Sequence, residues 1–347
     1  MTRWFVQRVA YAATRFGFGV GRLAIRIFPR QWIFLLSDTL ASLGFGLLRG
    51  FRLRSINNIS IALGDHLDQL KARETVRRSL QNFFHACVEM GVALESSDDE
   101  LRSTISISGR EHLNAALAKG NGVIVLSAHL GNFFLVGTRL AIEGYSTHVL
   151  VNQPEDRQFA QLMDDYRLQV RQRTIHVRPR RDASKKLQLV LRRNELAVVI
   201  ADEYRKGNGI RVPLFGRTVL ARRGPATLAL RTGAAIVPVC MVRQPDDSLR
   251  LIIEPELELV RSGESKVAIR ESTLRLTQWL ERTVRAYPDQ WNWMNIHWWE
   301  TDKNALMTAP HYLKVSANNQ HTAHDGKTFV IPSECEGSKK DLSRSRS

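Results

Sequence analysis

The chain has 347 residues, enough for one large core or two smaller ones. Apolar residues make up 44% of it and aromatic residues 8%, which excludes a largely disordered chain. Fifty Lys and Arg against 34 Asp and Glu give a formal net charge of +16, which suits an anionic partner such as nucleic acid, an anionic membrane, a phosphorylated substrate or an acidic carrier protein.

Residues 1–54 interleave arginines with aromatic side chains, and Asp38 is the only acid among them. This pattern predicts basic amphipathic helices that lie in an anionic membrane interface. The most apolar stretch, 32–48, is short for a membrane span and contains Asp38 and two glycines. We therefore expect a membrane-lying or shallowly inserted segment; the alternative is that the aromatic side chains dock on the core of the domain.

Strand and helix patterns alternate through the rest of the chain. Helical spacing is found in 55–96, 111–119, 130–143, 158–171, 183–193, 224–231 and 266–287, and strand patterns in 105–107, 122–128, 148–152, 175–177, 196–202, 211–215, 235–242 and 249–254. The alternation predicts an α/β sandwich around a mostly parallel or mixed central sheet, in a domain spanning 55–300. The polar, aperiodic residues 301–347 are predicted to be a disordered tail.

His129 is the strongest candidate for a catalytic residue. It directly follows an apolar run typical of a strand buried on both faces, and ligands bind at the carboxyl edge of open α/β sheets. A histidine with a near-neutral pKa can take a proton from a hydroxyl group. Gly131 and Asn132 follow at the predicted helix entrance, where backbone N–H groups would hold a developing oxyanion.

Four blocks of sequence resemble those of a known enzyme family. His129-Leu-Gly-Asn-Phe-Phe is similar to the His-x4-acid motif of the lysophospholipid acyltransferase superfamily, in the form used by its lipid A late-acyltransferase branch. The other blocks, in the family's order, are Ala201-Asp-Glu with Val212-Pro-Leu-Phe-Gly-Arg, Arg223-Gly-Pro-Ala-Thr-Leu-Ala-Leu with Thr232-Gly-Ala and Val237-Pro-Val, and Tyr287-Pro-Asp-Gln-Trp-Asn-Trp.

The resemblance implies a fold and a reaction. The fold is an α/β sandwich carried on an N-terminal membrane-binding segment. The reaction is transfer of an acyl group from acyl carrier protein or acyl-CoA to a lipid or glycolipid acceptor, with His129 deprotonating the acceptor hydroxyl. At the position where the family has Asp or Glu to orient this histidine, the chain has Phe134. Asp202 and Glu203, which end another predicted strand, are the best substitutes, and we favour Glu203.

Arginines are the candidates for substrate binding. Arg222 and Arg223 precede a helix that is predicted to open at Gly224, and a helix N-terminus beside guanidinium groups favours a phosphate. Arg171 lies where related enzymes carry an arginine thought to meet the acceptor's head group. For each of these arginines, surface solvation is the alternative reading.

The leading hypothesis is therefore an acyl-ACP- or acyl-CoA-dependent O-acyltransferase at the cytoplasmic face of the bacterial inner membrane, acting on a lipid A precursor-like acceptor. Phe134 motivates an alternative, a catalytically impaired member of the family that binds lipid or a partner protein. The sequence has no cysteine or histidine cluster with metal spacing and no phosphate-binding glycine loop, so we expect no metal and no cofactor. It has no nucleic-acid-binding signature, so we expect no nucleic-acid partner.

Overall fold

A computed structural model of the chain describes residues 2–64, 67–154, 156–204, 209–261 and 263–298. These residues belong to one compact unit. The predicted tail, 301–347, lies outside the described residues.

The described part of the chain contains a seven-stranded sheet with the strand order β1-β9-β8-β2-β5-β3-β4. Its strands are β1 (Ile105–Ser108), β2 (Val123–Ser127), β3 (Thr147–Val151), β4 (Arg173–His176), β5 (Leu196–Ile200), β8 (Ala235–Arg243) and β9 (Leu249–Ile253). Only the pairing of β8 with β9 is antiparallel. The prediction of an α/β fold with a mostly parallel sheet is confirmed.

Eleven α-helices accompany this sheet in the described residues. They are α1 (Thr2–Ile27), α2 (Arg30–Leu47), α3 (Arg49–Leu63), α4 (Gln69–Glu95), α5 (Asp98–Thr104), α6 (Arg110–Leu117), α7 (Val136–Ile142), α8 (Arg157–Gln169), α9 (Arg180–Arg192), α10 (Gly224–Thr232) and α11 (Ser265–Ala286). Two strands, β6 (Ile210–Leu214) and β7 (Arg217–Ala221), form a separate antiparallel hairpin.

The central strands are buried on both faces, as their continuous apolar runs predict. In β2, Ile124 and Leu126 face one core together with residues of α9, α10 and α11. Val123 and Val125 face a second core with residues of α6 and α7. The helix that follows β4 therefore lies on the opposite face of the sheet from the helix that follows β2.

Helix α10 begins and ends where its sequence predicts. Pro225 occupies the first turn, where its missing N–H costs no hydrogen bond. Gly233 ends the helix at a φ of 76°, a left-handed conformation that glycine adopts without steric penalty. The helix thus starts just after β7, so that its N-terminus follows Arg222 and Arg223 directly.

The N-terminal helices pack on α4. Glu95, near the end of α4, forms ion pairs with Arg22 and Arg26 of α1, and the His85 side chain of α4 lies 2.8 Å from Asp38 of α2. The domain boundary that we expected after residue 54 falls inside α3. None of the described helices is by itself long and apolar enough to cross a membrane, although α2 and α3, bent by 87°, would qualify as a pair by length and composition.

Candidate active site

Two neighbouring strands bring the candidate residues together. β2 and β5 are parallel, and Ser127 at the end of β2 pairs with Ile200 at the end of β5. The segments that follow β2 and β5 therefore leave the sheet at the same carboxyl edge, one leading to His129 and the other to Asp202. This is the edge at which open parallel sheets build their sites.

His129 and Asp202 form a hydrogen-bonded pair at this edge. Nδ1 of His129 lies 2.7 Å from Oδ1 of Asp202, and the backbone N–H of His129 donates to Oδ2 at 2.8 Å. The Asp202 side chain is 1% exposed, whereas the His129 side chain is 23% exposed. A carboxylate at Nδ1 favours the tautomer with the proton on that nitrogen, which places the basic lone pair on Nε2.

Asp202 is held in its charged form. Burial by itself opposes ionisation, but the charge of His129 and hydrogen bonds from His129 and Trp291 outweigh that penalty and keep the pKa of the carboxyl below its ordinary value. The indole Nε1–H of Trp291 donates to Oδ2 at 2.8 Å. Trp291 is fully buried and also orients the partner of the histidine, and its place in the last family-like block is the sequence signal for that role.

The loop after His129 does not have the expected form. Residues 130–132 are not helical: Leu130 and Gly131 form single β-bridges with Trp291 and Met241, and Gly131 turns the chain at a φ of 56°. A 3₁₀ turn then covers Phe133–Leu135, and α7 begins only at Val136. The N–H of Gly131 donates to the carbonyl of Gln290 at 2.8 Å, and that of Asn132 to the carbonyl of Met241 at 2.9 Å. The prediction that these two N–H groups form an oxyanion site is therefore wrong, because both already have acceptors inside the protein.

The side chain of Asn132 is structural as well. It is 1% exposed, its Nδ2 donates to Glu89 at 2.8 Å, and its Oδ1 accepts from the backbone N–H of Leu135 at 3.3 Å. Its expected role in substrate binding is not supported, because both polar ends already have partners inside the protein, one on α4 and one in the loop. The other oxygen of Glu89 lies 2.8 Å from a guanidinium nitrogen of Arg243. No local sequence pattern signals this Glu89–Arg243 pair, which joins α4 to β8 beneath the loop.

Phe134, at the position of the family's acid, lies in an aromatic cluster. Its ring centroid is 4.1 Å from that of Phe133 and 6.1 Å from that of Phe83 on α4. Phe133 in turn meets the His129 ring edge-on, with the centroids 4.9 Å apart. Phe134 thus belongs to an apolar cluster that reaches His129 through Phe133, and the carboxylate partner of the histidine comes from the neighbouring strand instead.

The two candidate carboxylates are now distinguished. We favoured Glu203, but the carboxylate hydrogen-bonded to Nδ1 of His129 is that of Asp202. Consecutive residues of an extended chain point to opposite sides, and at this strand end the residue that faces His129 is Asp202. Glu203 is half-buried beside this pair.

The arginine candidates separate into two groups. Arg222 is half-buried and lines a cavity of about 20 Å³ together with Asp202. Arg223 and Gly224 are exposed at the start of α10. Of these three residues, Arg222 is the one that the cavity links to Asp202.

Arg171 does not lie at this edge. It precedes β4, which runs parallel to β3, and β3 to β5, so it lies at the amino edge of the sheet. There its guanidinium forms an ion pair with Asp98, with nitrogen and oxygen 2.7 Å apart. The expected contact of Arg171 with an acceptor head group beside His129 is therefore not supported.

The described residues contain no cluster of three or more His, Cys, Asp or Glu side chains arranged to hold a metal ion. What the arrangement offers is an imidazole whose Nδ1 is fixed by a buried carboxylate. Such a pair performs general acid–base chemistry on a hydroxyl or thiol group.

Comparison with known proteins points to the same chemistry. The sequence profile of the bacterial lipid A biosynthesis acyltransferases matches residues 3–300. A lipid A biosynthesis palmitoleoyltransferase of Escherichia coli K12 is 23% identical over 289 residues, which cover 82% of this chain and 90% of that protein. A phosphatidylinositol mannoside acyltransferase of Mycobacterium tuberculosis is 26% identical over 194 residues, or 55% of this chain and 59% of that protein. The chain belongs to the bacterial lipid A biosynthesis acyltransferase family and is an acyltransferase.

Proposed function

We propose that this protein transfers a fatty acyl group from a thioester donor, acyl carrier protein or CoA, to a hydroxyl group of a glycolipid acceptor of the lipid A precursor type. The observation that carries the proposal is the His129–Asp202 pair at the carboxyl edge of the sheet. The activities of the relatives, palmitoleoyl transfer in lipid A biosynthesis and acylation of phosphatidylinositol mannoside, support a lipid or glycolipid acceptor.

His129 acts as general base and then as general acid. Its Nε2 takes the proton of the acceptor hydroxyl while the hydroxyl oxygen bonds to the thioester carbonyl carbon. The carbon–sulfur bond then breaks, and the imidazolium returns the proton to the departing sulfur. The products are the acylated lipid and a free thiol, and buried, ionised Asp202 stabilises the imidazolium between the two proton transfers.

Arg222, Arg223 and Gly224 are assigned to substrate binding. They surround the N-terminus of α10, where exposed backbone N–H groups and two guanidinium groups favour an anionic group. Phosphate groups on the acceptor or on the donor's pantetheine arm have this chemistry.

The N-terminal helices support a location at a membrane surface, which we place at the cytoplasmic face of the inner membrane. The outward side of α2 is apolar, while Ser37, Ala41 and Phe45 face inward. Large apolar side chains at helical spacing are exposed along both α1 and α2, namely Phe16, Val20, Leu23, Ile27, Trp32, Leu35, Leu36, Leu40, Leu43 and Leu47. An exposed apolar strip of this length marks an interaction surface, and its basic flanks suit anionic lipid.

The alternative function, a catalytically impaired member that binds lipid or a partner protein, was based on the phenylalanine at position 134, where the family has an acid. The contact between Asp202 and His129 argues against it, because the imidazole has a carboxylate partner despite Phe134.

The test is an acyl-transfer assay on membranes with acyl-ACP and acyl-CoA donors and a lipid A precursor, comparing wild type with His129→Ala. We expect the variant to lose at least about 10²-fold in rate. The matched control is His148→Ala, because His148 forms a similar pair with Glu195 at 2.8 Å but lies at the opposite edge of the sheet. Equal product from His129→Ala and wild type would remove the histidine from the mechanism.

A further inference from the structure

Helix α9 carries an unusual concentration of positive charge. Within residues 180–193, the chain has six cations and one acid, Asp182. All six cations are exposed, and none has an ion-pair partner among the residues that the structure describes; they are Arg180, Arg181, Lys185, Lys186, Arg192 and Arg193.

The basic helix α11 does not share this feature. Its Arg275, Arg282 and Arg285 pair with Glu258, Glu254 and Glu281 respectively. The unpaired charge therefore distinguishes α9 from the long basic helix that packs in the same core.

The outward face of α9 has an apolar centre. Ala183, Leu187, Val190 and Leu191 are buried in the core beside the central sheet. Leu189 lies on the opposite side of the helix and is 49% exposed. Its neighbours three and four residues away, which share its surface, are all cations, namely Lys185, Lys186, Arg192 and Arg193. An apolar side chain inside a charged rim is the arrangement of a protein–protein interface.

A membrane is a poorer match for this face. A helix that lies in a bilayer interface inserts a broad apolar face, but the apolar face of α9 is already covered by the core. The broad apolar strip of this protein is on α1 and α2. The α9 face suits an acidic protein whose contact surface also offers an apolar side chain.

The N-terminal end of the helix is placed near the active site. The helix connects β4 to β5, and β5 leads directly to Asp202. Because β4 is parallel to the strands beside it, the N-terminus of α9, with Arg180 and Arg181, lies at the carboxyl edge, the edge that holds His129. Leu189 lies about 13 Å further along the helix, toward the amino edge.

We propose that the outward face of α9, centred on Leu189, docks the acidic carrier protein that presents the acyl thioester. This inference rests on the proposed function, and it commits to the carrier-bound donor over CoA. Attraction between the cationic rim and an acidic carrier raises the association rate and weakens as salt is added.

The test uses the full chain with the double substitution Lys185→Glu/Lys186→Glu, and separately Leu189→Ala. The matched control is Arg261→Glu/Lys266→Glu, which changes the net charge equally at two exposed positions near the start of α11. Binding of fluorescent acyl carrier protein is measured by anisotropy, and acyl transfer is measured with acyl-ACP and with acyl-CoA.

We expect the α9 double variant to weaken carrier binding and to lower kcat/KM for acyl-ACP by about tenfold or more, with kcat nearly unchanged. The control variant and the CoA reaction should stay near wild type. Carrier binding equal to wild type in the double variant and in Leu189→Ala would overturn the proposal. Because binding is measured directly, absence of acyl transfer in wild type would count against the proposed function and not against docking.

A third measurement tests whether anionic lipid, and not a carrier protein, binds the outward face of α9. Wild type and the double variant are sedimented with vesicles of phosphatidylethanolamine and phosphatidylglycerol. We expect equal vesicle binding. Loss of vesicle binding together with unchanged carrier binding would overturn the proposal and assign the α9 face to anionic lipid.

Discussion

Asp202 holds both the imidazole ring and the backbone N–H of His129, through its two carboxylate oxygens at 2.7 and 2.8 Å. One buried side chain thus fixes the tautomer of the histidine and the path of the chain that carries it. Chemistry and loop geometry therefore depend on the same carboxylate.

Asp202→Asn keeps the shape of the side chain but removes its charge. We expect the acyl-transfer rate to fall on the order of 10²–10⁴-fold, because the amide no longer stabilises the imidazolium or enforces its tautomer. The rate is measured with the donor at saturation. Glu203→Gln is the control and should cost much less; an equal loss in both variants would mean that the pair was wrongly assigned.

The same substitution tests how stability depends on pH. The pKa of the Asp202 carboxyl is lower in the folded protein than its ordinary value. At about pH 3.9 and below, the unfolded chain therefore binds a proton at this carboxyl more readily than the folded protein does. The stabilisation is therefore present above that pH and is lost as the pH falls through the folded pKa. Urea unfolding should show wild type more stable than Asp202→Asn by about 2 kcal/mol at pH 5. The difference should shrink below about pH 4; a difference that grows there would contradict the sign.

Glu89 is expected to stabilise the loop after the catalytic histidine. Glu89→Ala would leave Arg243, whose side chain is 9% exposed, without its carboxylate partner. We expect a loss of about 3 kcal/mol in the free energy of unfolding, because a buried charge is left unpaired.

Glu74→Ala is the matched control, since Glu74 pairs with Arg77 and Arg78 at the surface of the same helix. That change should cost less than about 1 kcal/mol. Chemical denaturation of both variants gives the comparison, and similar losses would refute a special role for Glu89.

The apolar side of α2 should control attachment to lipid. Leu36 and Leu43 lie two turns apart on this side and are 58% and 57% exposed. Leu36→Glu/Leu43→Glu should lower vesicle binding at least about tenfold, since each change removes apolar area that the bilayer would bury and adds a negative charge. Folding should be intact by circular dichroism. Leu189→Glu, at an exposed leucine of α9, is the control and should bind vesicles as wild type does.

The order of strands and helices could be read from the sequence because it depends on local patterns. The unbroken apolar run before His129 marks a strand covered on both faces, and Pro225 and Gly233 mark the ends of a helix. The same patterns place His129 and the Asp202–Glu203 dipeptide at strand ends. Since both strands are parallel neighbours, their ends meet at one edge.

Contacts between distant segments could not be read in this way. The N–H groups of Gly131 and Asn132 looked available until Gln290 and Met241 were seen to accept from them. Arg171 looked close to His129 by analogy of position, but the parallel direction of β4 puts it at the other edge. Each error concerns a partner far away in the chain, which local periodicity does not encode.

The sequence by itself determined that this protein has a mostly parallel α/β core with a histidine at the end of a buried strand, because apolar periodicity and chain order decide both. Only the tertiary structure decided that Asp202, rather than Glu203, holds that histidine. The two carboxylates are adjacent in sequence, so the choice depends on which way each side chain points as the chain leaves β5, and on the indole of Trp291, 89 residues further along the chain, which fixes the Asp202 carboxylate.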